Sequence, residues 1–184
     1  MSDRSGLKWV KVKRFFTLLV APRRGKAYLS LARFEDVPID RLLADGIRGA
    51  LVDADGTLGP HHTPRYPAST IAHLKALQAT GIRVAIYTND REDRFDQFEG
   101  IPVVSGVPPK PSVSGFLEAM DRFLELTEPS SVCMIGDNYI TDGGAVEAGM
   151  RFIHIKPLPG NENPIHRLTR DLAEWRAGGL SNRS

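Results

Sequence analysis

The chain has 184 residues, a formal net charge of +2, 41% hydrophobic and 25% charged residues, and a single cysteine, Cys133. That length suits one domain with a substantial core, and the lone cysteine excludes an internal disulfide framework. No apolar run in the sequence is long enough to span a bilayer, and the short one at 15–21 lacks a cleavage-site pattern, so a secretory leader is not expected.

Charge is uneven along the chain. The first 30 residues carry eight Lys or Arg against one acidic residue, and the remainder is net acidic. Residues 8–20 interleave Lys8, Lys11, Lys13 and Arg14 with Trp9, Phe15, Phe16 and Leu19. Two readings suit that composition. One is an arm packed on the main domain with its charges in water; the other is a peripheral contact with an anionic membrane through residues 8–26. A turn at 22–25 and a short helix at 41–45, ended by Gly46, come next.

From Gly46 the pattern alternates. A strand is expected at 49–53, a helix at 68–80 with Ile71, Leu74 and Leu77 at helical spacing, and a strand at 83–87. A charged helix at 91–98, a short strand at 101–104 and a proline-rich loop at 108–111 follow. Next come a helix at 113–126 with Phe116, Met120 and Phe123 on one face, a strand at 132–135, a helix at 141–148 and a strand at 151–155. A surface helix is expected at 164–175. Such βαβ alternation implies a Rossmann-like three-layer α/β/α sandwich with a mostly parallel sheet. The expected divisions are a basic arm with a short helix (1–45), a core (46–158), and a C-terminal helix with a frayed tail (159–184). Cys133 sits in an apolar strand and reads as a packed core thiol.

The chemistry gathers where strands end. Ala50 to Val52 runs into Asp53-Ala54-Asp55-Gly56-Thr57. The second strand ends at Thr88-Asn89, the next loop holds Lys110-Pro111, and the fourth strand ends at Gly136-Asp137-Asn138, with Asp142 one turn on. Ligands of parallel sheets bind beyond the carboxyl ends of strands, so these side chains should share one crevice. Carboxylates that close repel unless a hard cation lies between them. The set suits a phosphate bridged to the carboxylates by Mg²⁺, held by Asp53, the Asp55 carbonyl and Asp137. Asp53 is expected as nucleophile, forming an aspartyl-phosphate, and Asp55 as general acid and base. Lys110 supplies a positive charge for nucleophile and phosphate. The Thr88 hydroxyl and the Asn89 main-chain N–H would donate to phosphoryl oxygens. Asn138 and Asp142 would support the metal or Lys110 from behind.

In order, these four stretches resemble the motifs of the haloacid dehalogenase (HAD) superfamily of phosphotransferases. Compact size, the Gly-Ile-Arg-Gly approach to the first motif, and Gly-Asp-Asn-x-x-Thr-Asp are similar to its subfamily IIIA. Within that subfamily the chain resembles the YqeG-type phosphatidylglycerophosphate phosphatases over roughly residues 13–175. His154-Ile155-Lys156-Pro157-Leu158 adds to this likeness, while Asn usually stands there in place of Gly56. A cytoplasmic phosphatase is expected, peripheral at the inner face of the membrane on the reading in which the arm docks there.

Neither the gap at 58–67 nor that at 90–110 has room for an inserted cap, so a capless fold with an open crevice is expected. An open crevice admits a phosphomonoester on a large or membrane-presented object. The alternative is a soluble phosphatase of nucleotide or sugar phosphates, in which His61, His62, Arg65 and Tyr66 touch the leaving group. For the His pair a solvated loop is preferred. A non-enzymatic module binding an anion is the third reading, and nucleic acid is not an expected partner, since nothing basic and aromatic interleaves beyond the arm.

Overall fold

The structure, a computed structural model, describes residues 27–61, 63–89 and 95–158. Five strands form one parallel sheet: β1 (Leu29–Leu31), β2 (Gly49–Val52), β3 (Arg83–Ile86), β4 (Val132–Gly136) and β5 (Arg151–Ile155), in the order β1-β5-β4-β2-β3. Helix α1 (Ile39–Ala44) precedes β2, α2 (Ala68–Ala79) joins β2 to β3, and α3 (Val113–Leu124) leads to β4.

β2 and β4 are buried at every position because both faces are covered. Ala50 and Val52 of β2, Val84 and Ile86 of β3, and Cys133 and Ile135 of β4 pack with Leu74 and Leu77 of α2 on one side. Leu51, Ala85, Met134 and Phe152 pack with Phe116, Ala119, Met120 and Leu124 of α3 on the other. Alternation along each strand thus feeds two cores, and three layers result. Buried Cys133 belongs to the first of them, where loss of water pushes its thiol up to about 12, so it is inert.

Several elements differ from expectation, each for a local reason. β1 was not foreseen: it has three residues, is only partly buried, and forms an edge through its register with Ile153 to Ile155. The strand expected at 101–104 is a single bridge between Ile86 and Val103. Pro102 has no N–H and only accepts, from Ile86 N at 2.9 Å. The helix expected at 141–148 is a 3-10 helix, Asp142–Val146. Its two central glycines weaken an α-helix, and Gly144 lies against Pro111 and Phe116. Helix α3 stops at Leu124 because Glu125 turns left-handed, at φ 49°. Residues 95–98 form no helix; the rest of the helix expected at 91–98, the basic arm, His62 and the surface helix at 164–175 lie outside the described residues. Among the described residues, no helix is long and apolar enough to cross a membrane.

Candidate active site

Each expected group leaves the sheet at the same edge. Asp53 follows β2 and still joins the ladder, its N–H donating to Ile135 O at 2.9 Å. Thr88 and Asn89 follow β3, Asp137 and Asn138 follow β4, and Lys110 comes from the loop before α3. Asp53, Asp55, Thr88, Asn89, Lys110, Asp137 and Asn138 line one pocket of about 160 Å³, together with His61 and Thr141. That volume suits a phosphoryl group with an ion and little more.

Lys110 is the hub. The residue is 1% exposed, and its ammonium lies 2.9 Å from Asp53 Oδ1 and 2.5 Å from Asp142 Oδ1. Burial works against its charge, but the carboxylates of Asp142 and Asp53 outweigh that and raise its pKa. The Asp53 pKa is raised as well, but there burial drives the rise and disfavours the charge; Asp142 adds to the rise, and Lys110 only partly opposes it. The Ala54 N–H also donates to Asp53 Oδ1, at 2.9 Å, so both contacts fall on that oxygen and Oδ2 is left to the pocket.

The lysine loop is fastened from β3. The Asn89 side chain pairs with both main-chain groups of Lys110: Nδ2 donates to Lys110 O at 3.0 Å, and Lys110 N donates to Oδ1 at 2.9 Å. With its amide so committed, Asn89 has its main-chain N–H to offer an anion. The Tyr87 hydroxyl donates to Pro108 O at 2.7 Å, and burial pushes that phenol up, so it stays a donor. Neither holding role was read from sequence, since each spans 21 positions between loops whose meeting depends on the fold.

The loop after β4 is equally fixed. Asn138 Oδ1 accepts from Ile140 N at 2.9 Å, and Asn138 N donates to Asp142 Oδ2 at 3.0 Å. Gly136 permits this, because a Cβ there would lie 2.3 Å from that same Oδ2. Behind the loop, buried His154 places Nε2 3.2 Å from Asp137 O, and its ring packs on Tyr139 at 4.5 Å.

The donor set answers whether a cation fits. Carboxylate oxygens of Asp53, Asp137 and Asp142 lie within 4.8 Å of one another. One ammonium faces three carboxylates, so an all-oxygen site is left with excess negative charge, which suits a hard divalent ion. Asp142 spends one oxygen on Lys110 and the other on Asn138 N, which leaves Asp53 and Asp137 as the better ligands. Gly56, at φ 80°, helps form the cradle: a Cβ there would come within 2.6 Å of Asp137 Oδ2. An Asn in its place would crowd that carboxylate.

The pair expected in a solvated loop divides. His61 is half-buried and lines the pocket; His62 lies outside the described residues. The tight turn after Asp55, which a linear reading cannot fold, brings His61 inward. Tyr66 is buried on Phe98 rather than set at the mouth, and Arg65 is exposed.

Residues 24–149 match the family model of haloacid dehalogenase-like hydrolases. The chain belongs to that family of hydrolases. It is similar to the probable phosphatase YqeG of Bacillus subtilis, with 28% identity over 137 residues, 72% of this chain and 78% of that protein. Among solved structures it is similar to the cobalt-bound deoxy-D-mannose-octulosonate 8-phosphate phosphatase of Haemophilus influenzae (17% identity, TM-score 0.49, covering 76% of this chain and 94% of that one). An uncharacterized protein of Corynebacterium glutamicum shows 21% identity and a TM-score of 0.48, with 72% of this chain and 96% of that one covered.

Proposed function

We propose that the chain is a Mg²⁺-dependent phosphomonoesterase working through an aspartyl-phosphate, on a large or membrane-presented substrate such as phosphatidylglycerophosphate. The observation that carries the chemistry is the buried Asp53–Lys110–Asp142 cluster opening on a pocket shared with Asp55 and Asp137. Asp53 Oδ2 attacks phosphorus as the bond to the leaving oxygen breaks, and the Asp55 carboxyl gives that oxygen its proton. Asp55 then takes a proton from water, whose oxygen attacks phosphorus and frees Asp53 and phosphate. Lys110 holds Asp53 in place and faces the phosphoryl oxygens, with the Thr88 hydroxyl and Asn89 N–H as donors. Asp53, Asp137 and the Asp55 carbonyl would hold Mg²⁺, which when bound offsets the negative charge of carboxylates and phosphate. Asn138 and Asp142 hold these groups from behind.

The large substrate is supported by the short connections beside the pocket, which favour a capless site, and by the basic, aromatic arm at 8–26 ahead of the core. The core reaches back beyond the expected 46–158 to take in β1 and α1, which belong to the sheet and its packing; we take the residues before β1 as the arm and 159–184 as the tail. The test is parallel hydrolysis of phosphatidylglycerophosphate in mixed micelles and a panel of nucleotide and sugar phosphates, with and without EDTA. We expect fastest turnover on the micelles, loss with EDTA and recovery with Mg²⁺. A preference for a soluble phosphate overturns the substrate, and a metal-independent rate overturns the cation site. Asp53→Asn should cut turnover by at least about a thousandfold with the fold retained; appreciable residual phosphate release would remove Asp53 from its role.

A further inference from the structure

Asp137 is the first residue past β4, and with Asp53 it offers the carboxylates best placed for a cation. The peptide unit between Asp137 and Asn138 is tied from both sides. Its N–H, that of Asn138, donates to Asp142 Oδ2 at 3.0 Å, and its C=O, that of Asp137, lies 3.2 Å from His154 Nε2. A carbonyl only accepts, so Nε2 carries the hydrogen and donates. His154 stands opposite Gly136 in the register of β5 with β4, is 3% exposed, and reaches past the end of the ladder to this carbonyl. Its imidazole is wedged in place. The Tyr139 ring lies 4.5 Å away, the Phe152 ring 6.2 Å away, and those two rings meet edge to face at 5.3 Å. Packing on both rings holds the donor on its carbonyl.

From this arrangement we propose that His154 is a positioning residue for the cation site: its hydrogen bond sets the plane of the 137–138 peptide and so aims the Asp137 carboxylate at the metal. The inference rests on the reading of Asp53 and Asp137 as metal ligands. A peptide unit is planar and contains the Asp137 Cα, so tying both its polar groups resists rotation about that Cα. The side chain leaves from the same Cα, and a turn of the peptide would carry the carboxylate with it. The fit leaves little room for error. A Cβ on Gly56 would lie 2.6 Å from Asp137 Oδ2, so that oxygen passes closely over a bare glycine. Without the imidazole, a buried carbonyl loses this donor, and the peptide gains by tilting toward another. Groups that orient metal ligands from behind are worth about tenfold or more in metal affinity.

The test measures Mn²⁺ binding to the metal-free full chain by electron paramagnetic resonance, which reads free ion without turnover, for the wild type, His154→Phe, His154→Gln and Ile153→Val. His154→Phe keeps a ring beside Tyr139 but removes the donor, and should weaken Mn²⁺ binding about tenfold or more. If circular dichroism shows that the phenyl is not tolerated, His154→Met, flexible and without a donor, takes its place. His154→Gln, whose side-chain amide can donate to the same carbonyl, should return affinity to within about threefold of the wild type. Ile153 packs in the core on the other face of β5, so Ile153→Val lowers stability without touching the donor and should bind Mn²⁺ as the wild type does. Turnover gives a second readout: the half-saturating Mg²⁺ should rise in His154→Phe, with a far smaller change in turnover at saturating Mg²⁺. An unaltered Mn²⁺ affinity in His154→Phe, an equal loss in Ile153→Val, or no recovery in His154→Gln overturns the proposal. So does a fall in saturated turnover with the half-saturating Mg²⁺ unmoved. A wild type that binds no Mn²⁺ would sink the cation site itself and this inference with it, whereas a wild type that binds and a His154→Phe that binds equally sinks the inference alone.

Discussion

Two charged clusters stand at opposite ends of the sheet, built to the same count. At the carboxyl ends Lys110 lies between Asp53 and Asp142. At the amino ends Asp45 lies between Arg41 and Arg151, at 3.6 and 3.7 Å, and accepts from the Tyr28 hydroxyl, while both guanidiniums lie over the Tyr28 ring. The side chains of the first cluster are 2, 12 and 0% exposed; Arg41, Asp45 and Arg151 are 56, 37 and 34% exposed. The Tyr28 hydroxyl, and then the two arginines, hold the Asp45 carboxyl below the usual carboxylate range, yet water and salt screen that cluster. The buried cluster has no such screening, and Asp137 adds a further carboxylate beside it. The lesson is that burial turns the same arithmetic from a minor surface contact into a charged site that an incoming cation and phosphate complete.

Breaking the buried hub should have the largest effect. Lys110→Met leaves Asp53 and Asp142 together without their counter-ion, and a loss of about 3–5 kcal/mol in urea unfolding is expected, with turnover abolished. Adding Asp142→Leu removes one stranded carboxylate and should recover much of that stability but none of the activity. Recovery of both would show that the ammonium is there for the fold alone.

A pH series sharpens the contrast. Burial pushes the Asp53 carboxyl up from its ordinary 3.8 to about 7 in the metal-free protein. A carboxyl with a raised folded-state pKa binds its proton more tightly when folded. Its contribution is therefore greatest below 3.8 and is lost as pH rises toward 7. Lys110, raised above its ordinary value, stays charged throughout that window and adds no slope. The stability of the metal-free wild type relative to Asp53→Asn should thus fall between pH 4 and pH 7, as read by denaturant melts with EDTA. A rising difference would mean that Lys110 outweighs burial.

The smallest effect belongs to the other end. Arg151→Ala should leave turnover as it is and move the urea midpoint barely beyond error, with the shift shrinking further in salt. A large, salt-insensitive loss would show that the Tyr28 cluster is worth more than its exposure implies.

Much of the fold was legible because apolar strands of four or five residues alternating with turns leave few options. The strands at 49–52, 83–86, 132–136 and 151–155 announce themselves through short, mostly apolar runs, with Arg83 and Arg151 only at their first positions, as buried parallel strands do. β1 escaped notice because three half-exposed edge residues carry too little pattern. In the site, Asp53, Asp55, Thr88, Asn89, Lys110, Asp137, Asn138 and Asp142 were legible as polar groups at strand ends. Their supports were not: Tyr87 on Pro108, Asn89 on the Lys110 main chain and His154 of β5 behind Asp137 are pairings between segments distant in sequence. His61 was misread as solvated, since nothing in a linear string shows that a glycine turn folds it back over Asp137.

Taken by itself, the order of residues determined the alternation of strands and helices and the family, because hydrophobic period and short motifs are local properties. Which oxygen of Asp53 faces the pocket, which carboxylate Lys110 draws away from the cation site, and which histidine reaches the rim were decided only in three dimensions. Those outcomes depend on distances between segments dozens of residues apart, and on how far burial strips each charge of water.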